Sequence, residues 1–344
     1  MNRYWTLADG PLEGLPSPAH FALREGPIPT PAPGQALSRT IYISLDPYQW
    51  GYRRRAQRGQ VWHARTVSQV IESRMDGFTA GDLVFNVNGW AEYGLMGEGI
   101  ERPAYMVPRR LDPALGRISL AVGVLGMLGL TAYAGMLLLA KPEAGETAVV
   151  SAASGGVGQI AGQLAALRGA RVVGIAGRAE KVRFVEQELG FDACVSHFSP
   201  TFAEDLRDAC YAGIDVYFEN VGGAVFDAVL PEFNPGARMT ICGLIAHYGE
   251  EGDARAALMK RGERVFAERG VSVRNLFVGD FAAEHEAQFL SDMAGWVASG
   301  KVKYREDIRQ GMETVPAVFA EMMRGGNFGK TLVQVSEDPT LGAR

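Results

Sequence analysis

The sequence predicts an α/β protein: a doubly wound parallel sheet preceded by a smaller all-β region. After about residue 120, compact apolar runs alternate with helix-like segments at the spacing of βαβ units. Before that point, short strand candidates are separated by turns containing Pro or Gly. With 344 residues, 47% hydrophobic and 21% charged, the chain has the composition of a soluble globular protein of about two domains.

The first hundred residues predict short β-strands at residues 36–45, 67–71 and 83–87, with further short strands near Tyr93 and at 105–107. The turn signals Met75-Asp76-Gly77 and Gly81-Asp82 separate the second candidate from the third. Short strands at close spacing are typical of a small barrel or sandwich.

The remainder predicts alternating strands and helices. The predicted strands span residues 147–151, 171–176, 193–195, 214–219, 237–243, 271–278 and 331–335. The predicted helices span residues 159–167, 180–189, 202–211, 226–230, 287–298 and 314–323. Residues 118–140 carry no charge and are numerous enough to cross a bilayer, but glycines interrupt them. We interpret this window as a buried, bent segment at a domain junction.

Charge and cysteine content exclude several classes of protein. The net charge is −5, so no broad basic field favours nucleic acid. The local run Arg53-Arg54-Arg55 plus Arg58 is interpreted as a solvated face, with a substrate or phosphate contact as the alternative. Three widely spaced cysteines without a CxxC pair favour neither a zinc site nor a disulfide framework, which fits a reducing cytoplasm. The N-terminus lacks the apolar stretch of a signal peptide.

A glycine-rich loop follows the first strand of the α/β region. Ala153, Gly155 and Gly158 carry the G-x-G-x-x-G spacing, with Ala in place of the first glycine. In such loops the small residues allow a tight turn, a close approach of backbone to pyrophosphate, and close packing of helix on strand. The helix that begins there directs its N–H groups at the anion. The loop therefore predicts a Rossmann-type dinucleotide site, and a purely structural turn is the alternative.

The residues after the second strand indicate which dinucleotide binds. NAD-binding proteins usually place an acidic residue about 20 positions after the glycines, to hold the ribose 2′-hydroxyl. Here the strand ends at Gly177 and is followed by Arg178 and Lys181. Two cations at this place favour a 2′-phosphate and therefore NADPH, unless both are ordinary solvated side chains.

Several motifs in a fixed order carry a family resemblance. They are Ser44-Leu45-Asp46-Pro47-Tyr48, the segment 126–133, the loop 151–158, Phe218-Glu219-Asn220-Val221-Gly222-Gly223, Cys242-Gly243, and the segments 303–307 and 327–330. Over nearly its whole length the chain resembles the zinc-independent medium-chain dehydrogenase/reductases, in the NADPH-dependent alkenal/one reductase branch. That branch includes prostaglandin reductases, plant double-bond reductases and curcumin reductases.

The resemblance implies three segments. Residues 1–125 would form a GroES-like domain, residues 126–305 a Rossmann domain that binds NADP, and residues 306–344 a return to the first domain. It also implies a cleft where nicotinamide and substrate meet, and a homodimer. No metal is implied, because no cysteine precedes Cys194 and Asp46 occupies the stretch where the zinc enzymes have a cysteine ligand.

Carried over onto this sequence, the family's cofactor contacts extend the glycine loop and the cation pair. His197 stands where the family often has a tyrosine, and it is either a contact to the 2′-phosphate or a surface residue. The candidate cofactor-binding residues are Met127, Thr131, Ala153, Gly155, Gly156, Val157, Gly158, Gly177, Arg178, Lys181, His197, Asn220, Val221, Cys242, Gly243, Ile245, Tyr248, Phe277, Val278 and Asn327.

The implied reaction is hydride transfer from NADPH to the β-carbon of an α,β-unsaturated ketone or aldehyde. Negative charge then develops on the carbonyl oxygen, so hydrogen-bond donors are needed there. Tyr48 and Tyr248 are the candidate catalytic hydroxyls, and either can instead be a packing residue. Trp50 and Trp62, with both tyrosines, are the candidate pocket wall. The alternatives are an NADPH-dependent quinone oxidoreductase and a non-catalytic NADPH-binding sensor or partner protein.

Overall fold

The computed structural model describes residues 1–342 and divides the chain into two compact units. The first unit comprises Met1–Gly126, Glu306–Asn327 and the described residues from Thr331 onwards. The second comprises Met127–Arg305 and Phe328–Lys330. The chain therefore leaves the first unit after Gly126, returns to it at Glu306, and leaves it again only for the three residues Phe328–Lys330.

The strands are β1 Asn2–Leu7, β2 Phe21–Gly26, β3 Gln35–Ser44, β4 Thr66–Ser73, β5 Leu83–Asn86, β6 Tyr93–Gly97, β7 Arg109–Arg110, β8 Thr147–Ser151, β9 Arg171–Ala176, β10 Ala193–Ser196, β11 Ile214–Glu219, β12 Phe233–Ile241, β13 Ser272–Asn275, β14 Glu306–Gln310 and β15 Lys330–Gln334. The α-helices are α1 Tyr48–Gly51, α2 Met127–Tyr133, α3 Gly158–Leu167, α4 Ala179–Arg183, α5 Phe202–Ala209, α6 Gly223–Val229, α7 Ala254–Arg269, α8 Gly279–Ala298 and α9 Val315–Met323. Two π-helical segments, Ala134–Ala140 and Phe184–Glu188, continue α2 and α4.

The first unit is built on a seven-stranded sheet with β3 at its centre. The strand order is β14-β15-β3-β4-β5-β7, β6 also pairs with β3, and β1 and β2 form a separate antiparallel pair. Ala36, Val70, Val84 and Met96 form one buried cluster against this sheet. Burial does not alternate along β3, because eight of its ten residues are buried and most of this central strand is covered on both faces.

The second unit is built on a six-stranded parallel sheet. Its order is β10-β9-β8-β11-β12-β13, and every pairing is parallel. The order reverses between β8 and β11, and in such sheets ligands bind at the carboxyl ends of the strands next to this reversal. All five residues of β8 are buried, which explains its uninterrupted apolar run. The predicted α/β fold with a doubly wound sheet is confirmed.

Several local predictions differ from the structure. Residues 105–107 form no strand, and the nearest strand is β7 at Arg109–Arg110. The pair β1–β2 and helix α7 have no predicted counterpart, and α8 begins eight residues before the predicted start at residue 287. The predicted helix of residues 180–189 is an α-helix only to Arg183.

The uncharged window is buried, as predicted. Residues Ile118–Val122 form a buried 3₁₀ turn, and α2 with the π-helical segment follows. Within residues 1–342 no helix combines the length and the apolar character that crossing a membrane requires.

Candidate functional site

The glycine loop joins β8 to α3 at the carboxyl edge of the parallel sheet. Ala152 adopts a φ of +49°, which an L side chain rarely takes. A Cβ added to Gly158 would lie 2.3 Å from the carbonyl oxygen of Ala152, and one added to Gly156 would lie 2.4 Å from Cδ2 of Leu128. Backbone alone fits at both positions, which is the cradle that a pyrophosphate requires.

The short segment Phe328–Lys330 lies against this loop. Gly329 forms a backbone bridge with Gly155, and its φ is +95°. A Cβ on Gly329 would lie 2.3 Å from the carbonyl oxygen of Arg305. The guanidinium of Arg305 lies 4.1 Å from the centroid of the Phe328 ring. Asn327, the candidate C-terminal contact, is the residue before this segment and is counted in the first unit.

Three candidate phosphate ligands lie at the ends of β9 and β10. Arg178 is the exposed residue immediately before α4, whereas Lys181 is only 8% exposed. Gly177 accepts a hydrogen bond from the Ser196 hydroxyl (2.6 Å), and a Cβ on Gly177 would lie 3.4 Å from Cε1 of His197. The structure therefore places both predicted cations and His197 after the neighbouring strands β9 and β10, at the same edge of the sheet.

His197 is electrostatically coupled to Lys181. Burial lowers the pKa of His197, the charge of Lys181 lowers it further, and a hydrogen bond with Ala176 raises it. The positive charge of Lys181 therefore disfavours protonation of the His197 imidazole. An anion bound at this place would reverse the effect, because it favours the protonated imidazole.

The loops after β11 and β12 are joined by backbone hydrogen bonds. Ile245 donates its N–H to the carbonyl of Asn220 (3.1 Å), and Ala246 donates to the carbonyl of Val221 (3.0 Å). The Asn220 side-chain amide donates to the carbonyl of Ser151 (2.7 Å), at the start of the glycine loop. The candidate residues Asn220, Val221 and Ile245 therefore lie together beside that loop.

Cys242, Gly243 and Tyr248 lie on the same side. A Cβ on Gly243 would lie 3.3 Å from the Tyr248 hydroxyl oxygen. Burial raises the pKa of Tyr248 to about 12, and a hydrogen bond from the backbone of Leu244 lowers it in part. Burial also raises the pKa of Cys242 to about 12. Both groups are therefore protonated at neutral pH, and Cys242 is a thiol rather than a nucleophilic thiolate.

The remaining candidates of the second unit differ in exposure. Thr131 lies one turn after Met127 in α2, and its hydroxyl donates to the Met127 carbonyl (2.6 Å). Phe277 is 52% exposed, whereas Val278 is buried. Only the first of these two side chains therefore presents a large surface.

In the first unit, Asp46 and Arg65 form a buried ion pair. Nη2 of Arg65 lies 2.6 Å from Oδ2 of Asp46, with side chains 1% and 6% exposed. The Ser44 hydroxyl donates to the same carboxylate oxygen (2.6 Å), and Gln49 accepts a hydrogen bond from the Asp46 N–H (3.0 Å). Buried charges are tolerated only when they are paired and hydrogen-bonded in this way. The pair therefore fixes the turn that carries Tyr48.

Tyr48 lies over Arg65 and beside two other rings. Cζ of Arg65 is 5.8 Å from the Tyr48 ring centroid, and the rings of Tyr52 and His63 lie 5.9 and 6.1 Å from it. Burial raises the pKa of Tyr48, while the charge of Arg65 and a hydrogen bond from it act in the opposite direction. The Tyr48 hydroxyl is therefore protonated at neutral pH and has a hydrogen to donate.

The tryptophans predicted to line the pocket are core residues instead, so this expectation is corrected. Trp50 and Trp62 are 0% and 2% exposed, and both pack against Phe21. The indole of Trp50 donates to the carbonyl of Gly14 (2.7 Å). Neither side chain offers a surface to a substrate.

In the basic run, Arg54, Arg55 and Arg58 are exposed, in agreement with the interpretation as a solvated face, whereas Arg53 is not. Arg53 is buried and donates to the carbonyl of Leu12 (2.8 Å), and Arg58 donates to the carbonyls of Ala8 and Gly10. These two arginines therefore bind the chain segment that follows β1.

Sequence reasoning overlooked Arg65, Glu219 and Ser151 as possible contributors to the site. Glu219 ends the apolar run Ile214–Glu219, and an acid in such a run is a signal of a buried carboxylate. Among residues 1–342, no group of three or more His, Cys, Asp or Glu side chains is arranged to hold a metal ion.

Two family models match the sequence. Residues 3–101 match the N-terminal domain of oxidoreductases, and residues 156–294 match a zinc-binding dehydrogenase family.

Individual proteins match over nearly the whole chain. The NADPH-dependent curcumin reductase of Escherichia coli (strain K12) is 38% identical and covers 98% of each chain. Prostaglandin reductase 1 of Rattus norvegicus is 34% identical and covers 96% of this chain and 98% of its own. The crystal structure of CurA from Vibrio vulnificus in complex with NADPH has a TM-score of 0.85 at 39% identity, covering 98% of this chain and 100% of that one.

Proposed function

Because this chain belongs to the zinc-independent medium-chain dehydrogenase/reductases, in their NADPH-dependent alkenal/one reductase branch, we propose that it reduces the carbon–carbon double bond of α,β-unsaturated ketones and aldehydes. The observation that carries the proposal is the arrangement at the carboxyl edge of the parallel sheet. There, the close-packed positions Gly156 and Gly158 lie in the loop after β8 and at the start of α3, and the cations Arg178 and Lys181 follow β9.

These residues fit NADPH. The glycine loop would hold the pyrophosphate, and Arg178, Lys181 and His197 would contact the 2′-phosphate. Asn220, Val221, Cys242, Gly243 and Ile245 would form the nicotinamide side. When bound, NADPH supplies the hydride that is added to the β-carbon of the substrate.

We assign Tyr48 the role of donor to the substrate's carbonyl oxygen. As negative charge develops on that oxygen, a neutral hydroxyl whose ring lies 5.8 Å from the Arg65 guanidinium can donate its hydrogen to it. Tyr248 is the second candidate, because its pKa of about 12 keeps it a donor at neutral pH. The proton that completes the α-carbon then comes from solvent.

We also propose that the protein is a cytoplasmic homodimer. The dimer follows from the family resemblance. Cys194, Cys210 and Cys242 are free thiols, which suits a reducing compartment.

The test is NADPH oxidation with a panel of enones, a panel of quinones, and no added substrate. We expect oxidation with enones, a product saturated at the α,β bond, and a loss of about a hundredfold in kcat in Tyr48→Phe, the effect typical of one removed oxyanion donor. Turnover with quinones alone would favour the quinone oxidoreductase, and binding of NADPH without turnover would favour the sensor protein. Either result would refute the proposal.

A further inference from the structure

Glu219, the last residue of β11, carries a fully buried carboxylate. Its exposure is 0%. Oε1 accepts hydrogen bonds from the Ser151 hydroxyl (2.8 Å) and from the N–H of Val221 (2.6 Å), and Oε2 accepts one from the Tyr217 hydroxyl (2.9 Å). Burial of a carboxylate is costly unless such donors replace water.

The hydrogen-bond donors around Glu219 indicate which protonation state of its carboxyl group they stabilise. The Ser151 oxygen accepts from the N–H of Asn220 (2.7 Å), and its hydroxyl lies closer to Glu219 Oε1 (2.8 Å) than to its other acceptor, the carbonyl of Phe218 (3.3 Å). A backbone N–H such as that of Val221 can only donate. Burial raises the pKa of Glu219, and the hydrogen bonds from Val221, Ser151, Gly222 and Tyr217 lower it. Every contact of the carboxyl group is therefore one that a carboxylate accepts.

The backbone of Glu219 joins a third strand end to the other two. Its carbonyl accepts from the N–H groups of Cys242 (2.9 Å) and Gly243 (3.1 Å), which follow β12. Its side chain holds Ser151, at the end of β8, and Val221, in the loop after β11. A single residue thus contacts both loops that carry the nicotinamide-side candidates and the start of the glycine loop.

We propose that Glu219 is the positioning residue of the nicotinamide-side loops, residues 220–223 and 242–245. Its carboxylate fixes the first loop relative to Ser151 of the glycine loop, and its backbone carbonyl holds the second loop beside the first. This inference rests on the proposed assignment of those loops to the nicotinamide. It predicts that a change at Glu219 separates the two ends of the cofactor site. The end that holds the 2′-phosphate, at Arg178 and Lys181, makes no contact with Glu219 in the interactions described above.

The experiment compares two ligands in the full-length protein. NADPH spans both ends of the site, whereas adenosine 2′,5′-bisphosphate lacks the nicotinamide and uses only the adenine end. In Glu219→Gln we expect the Kd of NADPH to rise about tenfold, the effect of roughly one lost buried hydrogen bond. We expect the Kd of adenosine 2′,5′-bisphosphate to change less than twofold. Glu219→Leu should show the same pattern with a larger rise.

Two further variants make the result decisive. Ser151→Ala leaves the carboxylate in place but removes its link to Asn220, and it should raise the Kd of NADPH in the same direction. Glu146→Gln is the matched control. Glu146 also bears a charged hydrogen bond, to Arg238, but lies before β8 at the opposite edge of the sheet. It should change neither Kd.

Equal weakening of both ligands in Glu219→Gln would overturn the proposal, because the residue would then support the unit as a whole. Unchanged NADPH binding in Glu219→Gln, Glu219→Leu and Ser151→Ala would overturn it as well. Since both ligands are measured without a substrate, this outcome is independent of the enone assay. Failure of the enone assay alone would refute the proposed reaction and leave the role of Glu219 to be decided by binding.

Discussion

The preference for NADPH over NADH should depend on Lys181, and the structure allows the size of the effect to be worked out. Lys181, in α4, is only 8% exposed as a residue, and its charge lowers the pKa of His197, which follows β10. A hydrogen bond to a charged group contributes about 1.5–3 kcal/mol. Since 1.4 kcal/mol is a factor of ten, Lys181→Met should weaken NADPH binding by about 10–150-fold.

Methionine is the appropriate replacement at this position. It keeps an unbranched apolar stem, which a buried lysine packs against its neighbours, and removes only the charge. NADH lacks the 2′-phosphate, so its affinity should change less than threefold. Lys301→Met, at an exposed lysine, is the matched control and should leave both affinities unchanged.

The assay is the Kd of each nucleotide by titration calorimetry at two salt concentrations. The ratio of the NADPH and NADH affinities should also fall as the salt concentration rises, because salt screens the attraction between the 2′-phosphate and the lysine. If Lys181→Met kept the wild-type ratio of the NADPH and NADH affinities, the assignment of the 2′-phosphate site would be wrong.

Three other predictions concern pH, the buried ion pair and the glycine loop. Burial lowers the pKa of His63 from 6.5 to about 4, so the unfolded chain binds a proton at a higher pH than the folded protein does. Between pH 7 and 5 the unfolding free energy of the wild type should therefore fall by about 1–2 kcal/mol, and that of His63→Gln should not show this fall. Arg65→Met should lower the unfolding free energy by about 3–5 kcal/mol, because it leaves the buried carboxylate of Asp46 unpaired. In a double-mutant cycle, the loss in kcat caused by Arg65→Met should not add to the loss caused by Tyr48→Phe. Gly158→Ala should abolish NADPH binding and destabilise the protein by about 1–3 kcal/mol, whereas Gly295→Ala, with open space around its added Cβ in helix α8, should stabilise it by about 0.5–1 kcal/mol.

Each of these has a contradicting outcome. A pH dependence of stability that is the same in His63→Gln and wild type would mean that the imidazole is not neutral in the folded protein. Additive losses in kcat would mean that the arginine does not act through the tyrosine. Normal NADPH binding by Gly158→Ala would remove the glycine loop from the cofactor site.

The parts of the fold that the sequence predicts well are those in which burial alone determines structure. Strand β8 is an uninterrupted apolar run because both faces of the parallel sheet are covered, and its bounds agree with the prediction. Helix α7 escaped prediction because only Leu258, Gly262 and Phe266 of its sixteen residues are buried, so it has no clear apolar stripe. A signal was present: Asp253 caps the helix by accepting from the N–H groups of its first turn.

The candidate site was predictable where a motif requires backbone geometry, as in the glycine loop. It was not predictable where tertiary packing decides exposure. Trp50 and Trp62 have the composition of a pocket wall, yet the surrounding aromatic rings bury them. Arg65 follows Ala64 in a stretch without a motif, and only the fold brings it to Asp46.

The pairing of β15 with β3 has a consequence for synthesis of the protein. Leu332 pairs with Ser44, so the end of the central strand of the first unit receives this neighbour only after residues 330–334 have been made. All strands of the second unit lie between β7 and β14 in sequence, so its sheet can assemble earlier. During translation, the sheet of the first unit is therefore completed after that of the second, and residues 42–44 of β3 lack a partner on one side until β15 emerges. Deletion of β15 would leave that part of the strand unpaired permanently, and aggregation rather than a local defect is the expected result.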